Sequence, residues 1–217
     1  MLAERMNTFS GSPTSALIAK VAELRAEGKD IISLNVGEPD FGTPDYIKCG
    51  AIKAIVDNFS KYTAGNGIIE LRRLISKKLH DNNLEYTTDE ICATVGAKQA
   101  IFNSIMALVD PGDEVLLPVP CWVSYTEMIK FAGAKPVFVD VEAETFDLDI
   151  EALEKAVTTK TKAIVICTPN NPTGAVYSEG TLRKLADLAC KYDFYIITDE
   201  IYEKLIYDDA KHFSIAS

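Results

Sequence analysis

The sequence predicts an α/β protein with a mostly parallel β-sheet flanked by helices. Short runs rich in Val and Ile alternate with segments of helical periodicity between about residues 91 and 199. These runs are almost continuously apolar, as in strands that are buried on both faces of a parallel sheet. Apolar residues make up 47% of the 217 residues, which is enough for a hydrophobic core and argues against a disordered chain.

The elements before residue 91 are mainly helical. Helical patterns cover residues 15–26, 45–58 and 68–82. A short apolar run at 31–34 leads into a loop rich in Gly and Pro at 37–44. A second loop, at 61–67, contains Gly and an aromatic residue, and neither loop alone predicts a function.

Strands and helices then alternate to the end of the predicted sheet. The predicted strands are 91–95, 114–117, 136–139, 163–167 and 194–198. The predicted helices are 98–109, 122–131, 149–157 and 178–191. The Asp-Pro-Gly-Asp segment at 110–113 predicts a turn between the first of these helices and the second strand.

The composition argues against several classes of function. The net charge of −10 argues against nucleic acid or an anionic membrane as the main partner. The five cysteines are widely spaced and form no C-x-x-C motif, which excludes a disulfide scaffold and a zinc ribbon and fits a reducing cytosol. With only His80 and His212, a site built from several histidines is excluded by number. No targeting segment or membrane-length apolar run is visible, so we expect a cytoplasmic protein.

Ligands of open α/β sheets bind beyond the carboxyl ends of the strands, so the residues after each predicted strand are the first candidates. Gly96, Ala97 and Lys98 follow the strand at 91–95 and begin a helix. Free backbone N–H groups and the helix dipole at such a start can bind a phosphate. The segment matches neither glycine fingerprint of nucleotide-binding proteins, and a tight turn without a ligand is the alternative.

Trp122, the single tryptophan, follows the second predicted strand. Its indole could stack on a flat heteroaromatic ring, or it could simply belong to the core. The neighbouring Cys121 is interpreted as structural, because the sequence shows no histidine partner that would make it a nucleophile.

Two further segments follow the last two predicted strands. Residues 168–174 read Thr-Pro-Asn-Asn-Pro-Thr-Gly, in which two prolines restrain the backbone and two amides offer donors and acceptors. Asp199 follows an apolar run, where a carboxylate is costly unless it meets donors or a cation such as a protonated ring nitrogen. A helix N-cap is the alternative role for Asp199.

Together these segments resemble the class I aminotransferases, which are pyridoxal-phosphate (PLP) enzymes of fold type I, and especially the bacterial aspartate aminotransferases. The resemblance extends from about residue 15 to residue 207. Asn171-Pro172-x-Gly174 and Asp199-Glu200-x-Tyr202 carry most of it, and the loop around Tyr62 adds a weaker match. It implies an N-terminal arm and part of a small domain at 1–44, followed by an incomplete PLP-binding large domain at 45–217.

The resemblance also implies roles for individual residues around PLP. Asp199 would bind the pyridine nitrogen, and Asn171 and Tyr202 would bind the phenolic oxygen of the ring. Trp122 would stack on the ring. The backbone of Gly96, Ala97 and Lys98 would bind the phosphate.

The same resemblance implies a homodimer with shared active sites. Tyr62 would reach the phosphate in the neighbouring subunit, and Gly37 would sit against the substrate carboxylate. Trp122 and Asn171 would border the substrate as well. The reaction would move an amino group from an amino acid such as aspartate to a 2-oxo acid such as 2-oxoglutarate.

The family's covalent PLP lysine and its substrate-binding arginine would lie beyond Ser217, the last residue of the chain. Lys204 and Lys211 follow Asp199 too closely and lack the family's sequence context, so neither is nominated. We therefore expect a truncated chain that does not turn over alone. The alternatives are an aromatic or prephenate aminotransferase, a lyase similar to aminocyclopropane-carboxylate synthase, or a non-catalytic PLP-binding module.

Overall fold

A computed structural model describes residues 2–8, 13–34 and 37–217 of the chain. The chain divides into two compact units. The larger unit comprises the described residues within 1–10 together with 69–217, and the smaller comprises the described residues within 11–68. The domain boundary at 44/45 implied by the resemblance stays a prediction.

The larger unit contains one four-stranded sheet. Its strands are β1 (Glu114–Val119), β2 (Lys135–Asp140), β3 (Thr161–Cys167) and β4 (Tyr195–Asp199). They lie in the order β2-β1-β3-β4, and every pair is parallel. The predicted parallel α/β class is therefore confirmed, and each of these strands overlaps a predicted one.

In the described part of the chain, seven α-helices accompany the strands. They are α1 (Pro13–Ala26), α2 (Asp45–Val56), α3 (Ile69–Asp81), α4 (Gly96–Leu108), α5 (Val123–Phe131), α6 (Ile150–Ala156) and α7 (Glu179–Tyr192). Short 3₁₀ turns lie at Glu4–Asn7 and Thr88–Glu90. Helices α1 and α2 belong to the smaller unit, and the other five belong to the larger.

The two central strands, β1 and β3, are buried, and their apolar side chains point alternately to the two sides of the sheet, where helices cover them. On one side Val115 and Leu117 pack in a cluster with Ile105 of α4 and Ile129 of α5. On the other side a second cluster contains residues of β1, β3, α6 and α7: Leu116, Ile164, Leu153, Leu182 and Leu185. Helices on both faces explain why the strands read as continuous apolar runs.

Two helices begin directly after a residue whose side chain caps them. Asp149 precedes α6, and its carboxylate accepts a hydrogen bond from the backbone N–H of Ala152 at 2.9 Å. Ser178 precedes α7, and its Oγ accepts from the N–H of Thr181 at 3.1 Å. Each cap satisfies an N–H group that has no partner inside the helix.

The predicted strand at 91–95 is wrong. The backbone at Ile91 is extended, with φ −114° and ψ 131°, but residues 91–95 pair with no strand among the described residues. An apolar, extended run becomes a strand only when a neighbour supplies its hydrogen bonds, and the sheet ends at β4. The apolar run at 31–34 likewise forms no regular structure.

Candidate active site

The carboxylate of Asp199 lies at the carboxyl end of β4 and is 7% exposed. Its Oδ2 accepts a hydrogen bond from the Tyr125 hydroxyl at 2.7 Å, and its Oδ1 accepts from the Ile201 N–H at 3.1 Å. Among the described residues no Lys, Arg or His forms an ion pair with Asp199. The chain after β4 forms turns at 201–204 and not an α-helix, so Asp199 caps no helix.

Tyr125 is a member of this site that the sequence analysis missed. It lies on α5 and is 1% exposed, with its ring in the core cluster that also contains Val115 and Cys167. Burial, with Cys167 and Asp199 nearby, raises the pKa of Tyr125 far above its ordinary value. The phenol therefore stays protonated and donates to the carboxylate. The sequence did offer one signal for Tyr125: it lies one helical turn after Trp122, on the same side of the predicted helix. A tyrosine buried there needs a hydrogen-bond partner for its hydroxyl.

The two asparagines of the loop at 168–174 differ in burial and in hydrogen bonding. Asn170 is buried, and its Oδ1 accepts from the N–H of Thr173 at 3.2 Å and from its Oγ1 at 3.0 Å. Its Nδ2 donates to the Tyr177 hydroxyl at 3.2 Å. Asn170 thus holds the loop together from inside, whereas Asn171 is only partly buried.

Asn171 and Tyr202, which come from different loops, meet in the structure. The Nδ2 of Asn171 donates to the Tyr202 hydroxyl at 3.2 Å. The register of β3 and β4 explains the approach, because Cys167 lies opposite Asp199 and both loops leave the same edge of the sheet. Two polar groups that the sequence places 31 residues apart are therefore directly bonded.

The start of α4 offers backbone donors at the same edge. Gly96 has φ +77°, its N–H donates to the Thr94 carbonyl at 2.9 Å, and it is solvent-exposed. Within the part of the chain that the structure describes, the N–H groups of Ala97 and Lys98 have no acceptor. Such free donors at a helix N-terminus favour an anion.

Trp122 lies between this helix start and Tyr125. The Lys98 ammonium is 5.0 Å from the centroid of its ring, and the Tyr125 ring meets it edge-on at 5.2 Å between centroids. Trp122 is partly buried and packs against the core cluster, so it combines a core contact with an accessible part. Burial raises the pKa of the adjacent Cys121 to about 11, which keeps it a thiol and agrees with a structural role.

One cavity is lined by two of the residues nominated for the cofactor, whereas Gly96, Lys98, Trp122, Asn171 and Tyr202 do not line it. It has a volume of about 520 Å³, and both Ala97 and Asp199 line it. Ile101 of α4 and Thr198 and Ile201 around β4 form part of its wall. Asp199 and the first turn of α4 therefore border a single space.

The remaining nominated residues, Gly37 and Tyr62, lie in the smaller unit. Gly37 is exposed, and a Cβ added to it would meet no atom within 4 Å. The side chain of Tyr62 is fully exposed. Lys204 and Lys211, which the sequence analysis did not nominate, are also exposed.

One group of side chains has the composition of a metal site: Glu200, Glu203 and His212. Its members already have partners. Glu203 bonds Lys78 and Asn82, and Glu200 accepts from the Ser214 hydroxyl at 2.8 Å and contacts His212 at 3.0 Å. These contacts join the residues after β4 to the end of α3 and to the last described residues.

No described helix is both long and apolar enough to cross a membrane.

Comparison with known proteins identifies the class that this fold and site define. Residues 29–217 match the family model described as aminotransferase class I and II. The chain belongs to this family.

The proteins that this chain resembles include aspartate and aspartate/prephenate aminotransferases. The chain is 47% identical to a probable aspartate/prephenate aminotransferase of Thermus aquaticus, over 98% of this chain and 56% of that protein. It is 44% identical to an aspartate aminotransferase of Bacillus subtilis (strain 168), over 99% of this chain and 55% of that protein. The aspartate aminotransferase of Thermus thermophilus, solved with maleate, superposes with a TM-score of 0.96 at 46% identity, covering 99% of this chain and 56% of that one. The chain spans about half the length of the curated relatives it matches.

Proposed function

We propose that this chain supplies most of the cofactor contacts of a PLP-dependent aminotransferase. The observation that carries the proposal is Asp199, a buried carboxylate without an ion-pair partner among the described residues, which lines one cavity with Ala97. When bound there, PLP would supply an electron sink for the electron pair left when a proton is removed from the substrate Cα.

The chemistry of Asp199 and of the start of α4 fits the two ends of PLP. A buried carboxylate is stabilised by a cation, and a protonated pyridine nitrogen would be that cation. The free N–H groups of Ala97 and Lys98, at the positive end of α4, suit the phosphate. The positive φ of Gly96 supports its role, because the turn that exposes these amides needs a residue without a Cβ.

The other nominated side chains would hold the ring. Asn171 and Tyr202, already bonded to each other, would bind the phenolic oxygen of PLP. Trp122 would stack on the ring and border the substrate together with Asn171. Asp199 and Tyr202 are the residues we propose to act directly on the reactivity of the ring.

The smaller unit would complete the site in a homodimer. Tyr62 would reach the phosphate of the neighbouring subunit, and Gly37 would adjoin the substrate carboxylate. Helix α2 supports the dimer, because it has no buried residue and exposes four large apolar side chains that a second copy could cover, Ile47, Ile52, Ile55 and Val56. We further propose a domain boundary at 44/45 in the complete enzyme, and a cytoplasmic location, which the five free cysteines support.

For the substrates, we propose an amino acid such as aspartate and a 2-oxo acid such as 2-oxoglutarate. Relatives named aspartate aminotransferase and aspartate/prephenate aminotransferase support this pair and make prephenate the second candidate acceptor. Because Lys204 and Lys211 are exposed and outside the proposed cofactor contacts, we do not propose either as the covalent PLP lysine. The 217 residues alone are therefore expected not to turn over.

The test compares the chain with the full-length enzyme. Each is mixed with PLP, aspartate and 2-oxoglutarate, and glutamate is measured against PLP without protein. We expect glutamate from the full-length enzyme and none above the PLP rate from the chain. Glutamate from the chain would refute the expected inactivity.

A panel of amino donors and 2-oxo acids, with prephenate included, then separates the candidate reactions. Transfer of an amino group to 2-oxoglutarate or prephenate supports an aminotransferase. A full-length enzyme that binds PLP but transfers no amino group, or that only eliminates from its substrate, would contradict the proposal and favour a binding module or a lyase.

A further inference from the structure

We infer that Tyr125 is a positioning residue for Asp199: its hydroxyl fixes the carboxylate in the orientation that meets the pyridine nitrogen of PLP. The inference rests on the proposed function and adds a residue that lies outside every motif found in the sequence. Tyr125 itself would touch neither the cofactor nor the substrate, and it would act only through Asp199.

The hydrogen bonds of Asp199 restrain its carboxylate from two sides. Oδ2 accepts from the Tyr125 hydroxyl at 2.7 Å, and Oδ1 accepts from the Ile201 N–H at 3.1 Å. Because the two donors act on different oxygens, rotation of the carboxylate would break both bonds. The backbone donor fixes one oxygen to the turn after β4, and Tyr125 fixes the other to the helix layer.

The Tyr125 donor is itself held rigidly. Its ring is 1% exposed, lies in the core cluster with Ile129, and meets the Trp122 ring edge-on at an interplanar angle of 84°. The hydroxyl therefore has little freedom to follow a moving carboxylate. Since Trp122 and Tyr125 lie one turn apart at the start of α5, the same helix would place the stacking ring and orient the carboxylate.

The carboxylate keeps capacity for a cofactor while it is held. An ionised carboxylate has about four acceptor positions, and two protein donors occupy two of them. Among the described residues, no basic side chain occupies a further acceptor position of Asp199 through an ion pair. A ring N–H⁺ would then meet an acceptor whose direction has been set before binding, which reduces the cost of organising the site.

A purely structural role for Tyr125 makes a different prediction. If only ring packing matters, the hydroxyl contributes stability and any cofactor analogue is affected equally. If the hydroxyl orients Asp199, its loss weakens only the contact to the ring nitrogen. The two roles are separated by comparing PLP with an analogue in which a carbon atom replaces the pyridine nitrogen.

The experiment measures the dissociation constants of PLP and of this deaza analogue for the full-length apoenzyme and its variants. In the unmodified protein PLP is expected to bind more tightly than the analogue. Tyr125→Phe is expected to reduce this preference about tenfold, the effect of losing one hydrogen bond to a charged group. Asp199→Ala is expected to abolish the preference, and Tyr125→Phe in that background is expected to change nothing further.

The matched control is Tyr177→Phe. Tyr177 is also 1% exposed and also loses one buried hydroxyl contact, to Asn170, but it has no bond to Asp199. It is expected to lower the melting temperature while leaving the ratio of the two dissociation constants unchanged.

The results distinguish failure of the positioning role of Tyr125 from failure of the proposed function. If Tyr125→Phe weakens both ligands equally, or leaves the ratio unchanged while Asp199→Ala abolishes it, the positioning role is overturned and the proposed function stands. If the unmodified protein binds neither ligand, the proposed function fails first. Should Tyr125→Phe not fold, the PLP complex of the unmodified protein decides: loss of the contact between Tyr125 and Asp199 in that complex would overturn the inference.

Discussion

At the scale of single residues, Asp199 shows how a charge is accommodated at the end of a buried strand. Removing a carboxylate from water costs several kcal/mol unless other groups compensate. The protein supplies two hydrogen-bond donors to Asp199 and, among the described residues, no cation. A cationic ring nitrogen would complete the compensation and would in turn be kept protonated by the carboxylate.

Replacing Asp199 with Ala in the full-length enzyme is therefore expected to lower kcat by several orders of magnitude, because the ring would lose the group that keeps its nitrogen protonated. Steady-state kinetics with saturating PLP measures the effect. Asp187→Ala is the control, since Asp187 is an exposed residue of α7, and it is expected to leave kcat unchanged. A loss below about tenfold, or about 1.4 kcal/mol, would contradict the proposed role of Asp199.

At the scale of elements, the start of α4 depends on a glycine conformation. Gly96 has φ +77°, a region that residues with a Cβ rarely adopt, although no atom lies within 4 Å of a Cβ added there. Gly180, near the start of α7, has no positive φ, and the nearest atom to its added Cβ is Ser178 Oγ at 3.9 Å. The two glycines lie at similar helix starts, but only Gly96 has a positive φ, which would strain a residue with a Cβ.

Substitution by Ala is expected to have opposite effects at these two positions. Gly96→Ala should lower the free energy of unfolding by about 1 kcal/mol, because the positive φ becomes strained. Gly180→Ala should raise it by about 0.5 kcal/mol, because alanine has less freedom to lose on folding. Chemical denaturation measures both, and a gain in stability for Gly96→Ala would contradict the observed turn.

The first residue of β1 ties together the elements around it and makes folding depend on pH. The Glu114 carboxylate accepts from Thr158 Oγ1 at 2.7 Å and from Lys135 Nζ at 3.0 Å on β2. The Thr158 hydrogen bond, followed by Lys135, lowers the pKa of Glu114 below its ordinary value of 4.5. Since the folded-state pKa is the lower one, the carboxylate stabilises the fold fully above the ordinary value, and this contribution is lost as the pH falls through the folded pKa.

Glu114→Gln should accordingly destabilise the protein by about 1 kcal/mol at pH 7 and by less at pH 3. Urea denaturation at the two pH values measures the difference. Glu151→Gln, at a side chain that is 88% exposed, should show no such pH dependence. If Glu114→Gln lowers the free energy of unfolding equally at both pH values, the ionised form of Glu114 contributes nothing to stability.

At the scale of the whole molecule, the features that could be predicted from the sequence are those that depend on local sequence patterns. Apolar runs identified the four paired strands, and helical patterns placed the starts of α6 and α7 within one residue. The strand predicted at 91–95 failed because pairing depends on a neighbour that no local pattern reveals. Tyr125 was missed for the same reason, since its partner lies 74 residues away and only the fold brings them together.

The three-dimensional structure also adds contacts that the sequence does not show. The two asparagines of the 168–174 loop look equivalent in sequence, yet Asn170 bonds inside the loop and Asn171 bonds Tyr202. Trp122 was either a stacking ring or a core residue, and it is partly buried with Lys98 near its ring. The positions of the candidate residues could thus be predicted from the sequence, whereas their partners required the three-dimensional arrangement.

The central claim is that one PLP molecule spans from Asp199 to the amides of Ala97 and Lys98. The most direct test is a crystal structure of the protein with PLP bound. We expect the pyridine nitrogen within about 3 Å of a carboxylate oxygen of Asp199, and phosphate oxygens at similar distances from the two amide nitrogens. A PLP molecule that meets only one of these two places, or that binds elsewhere on the chain, would contradict the account.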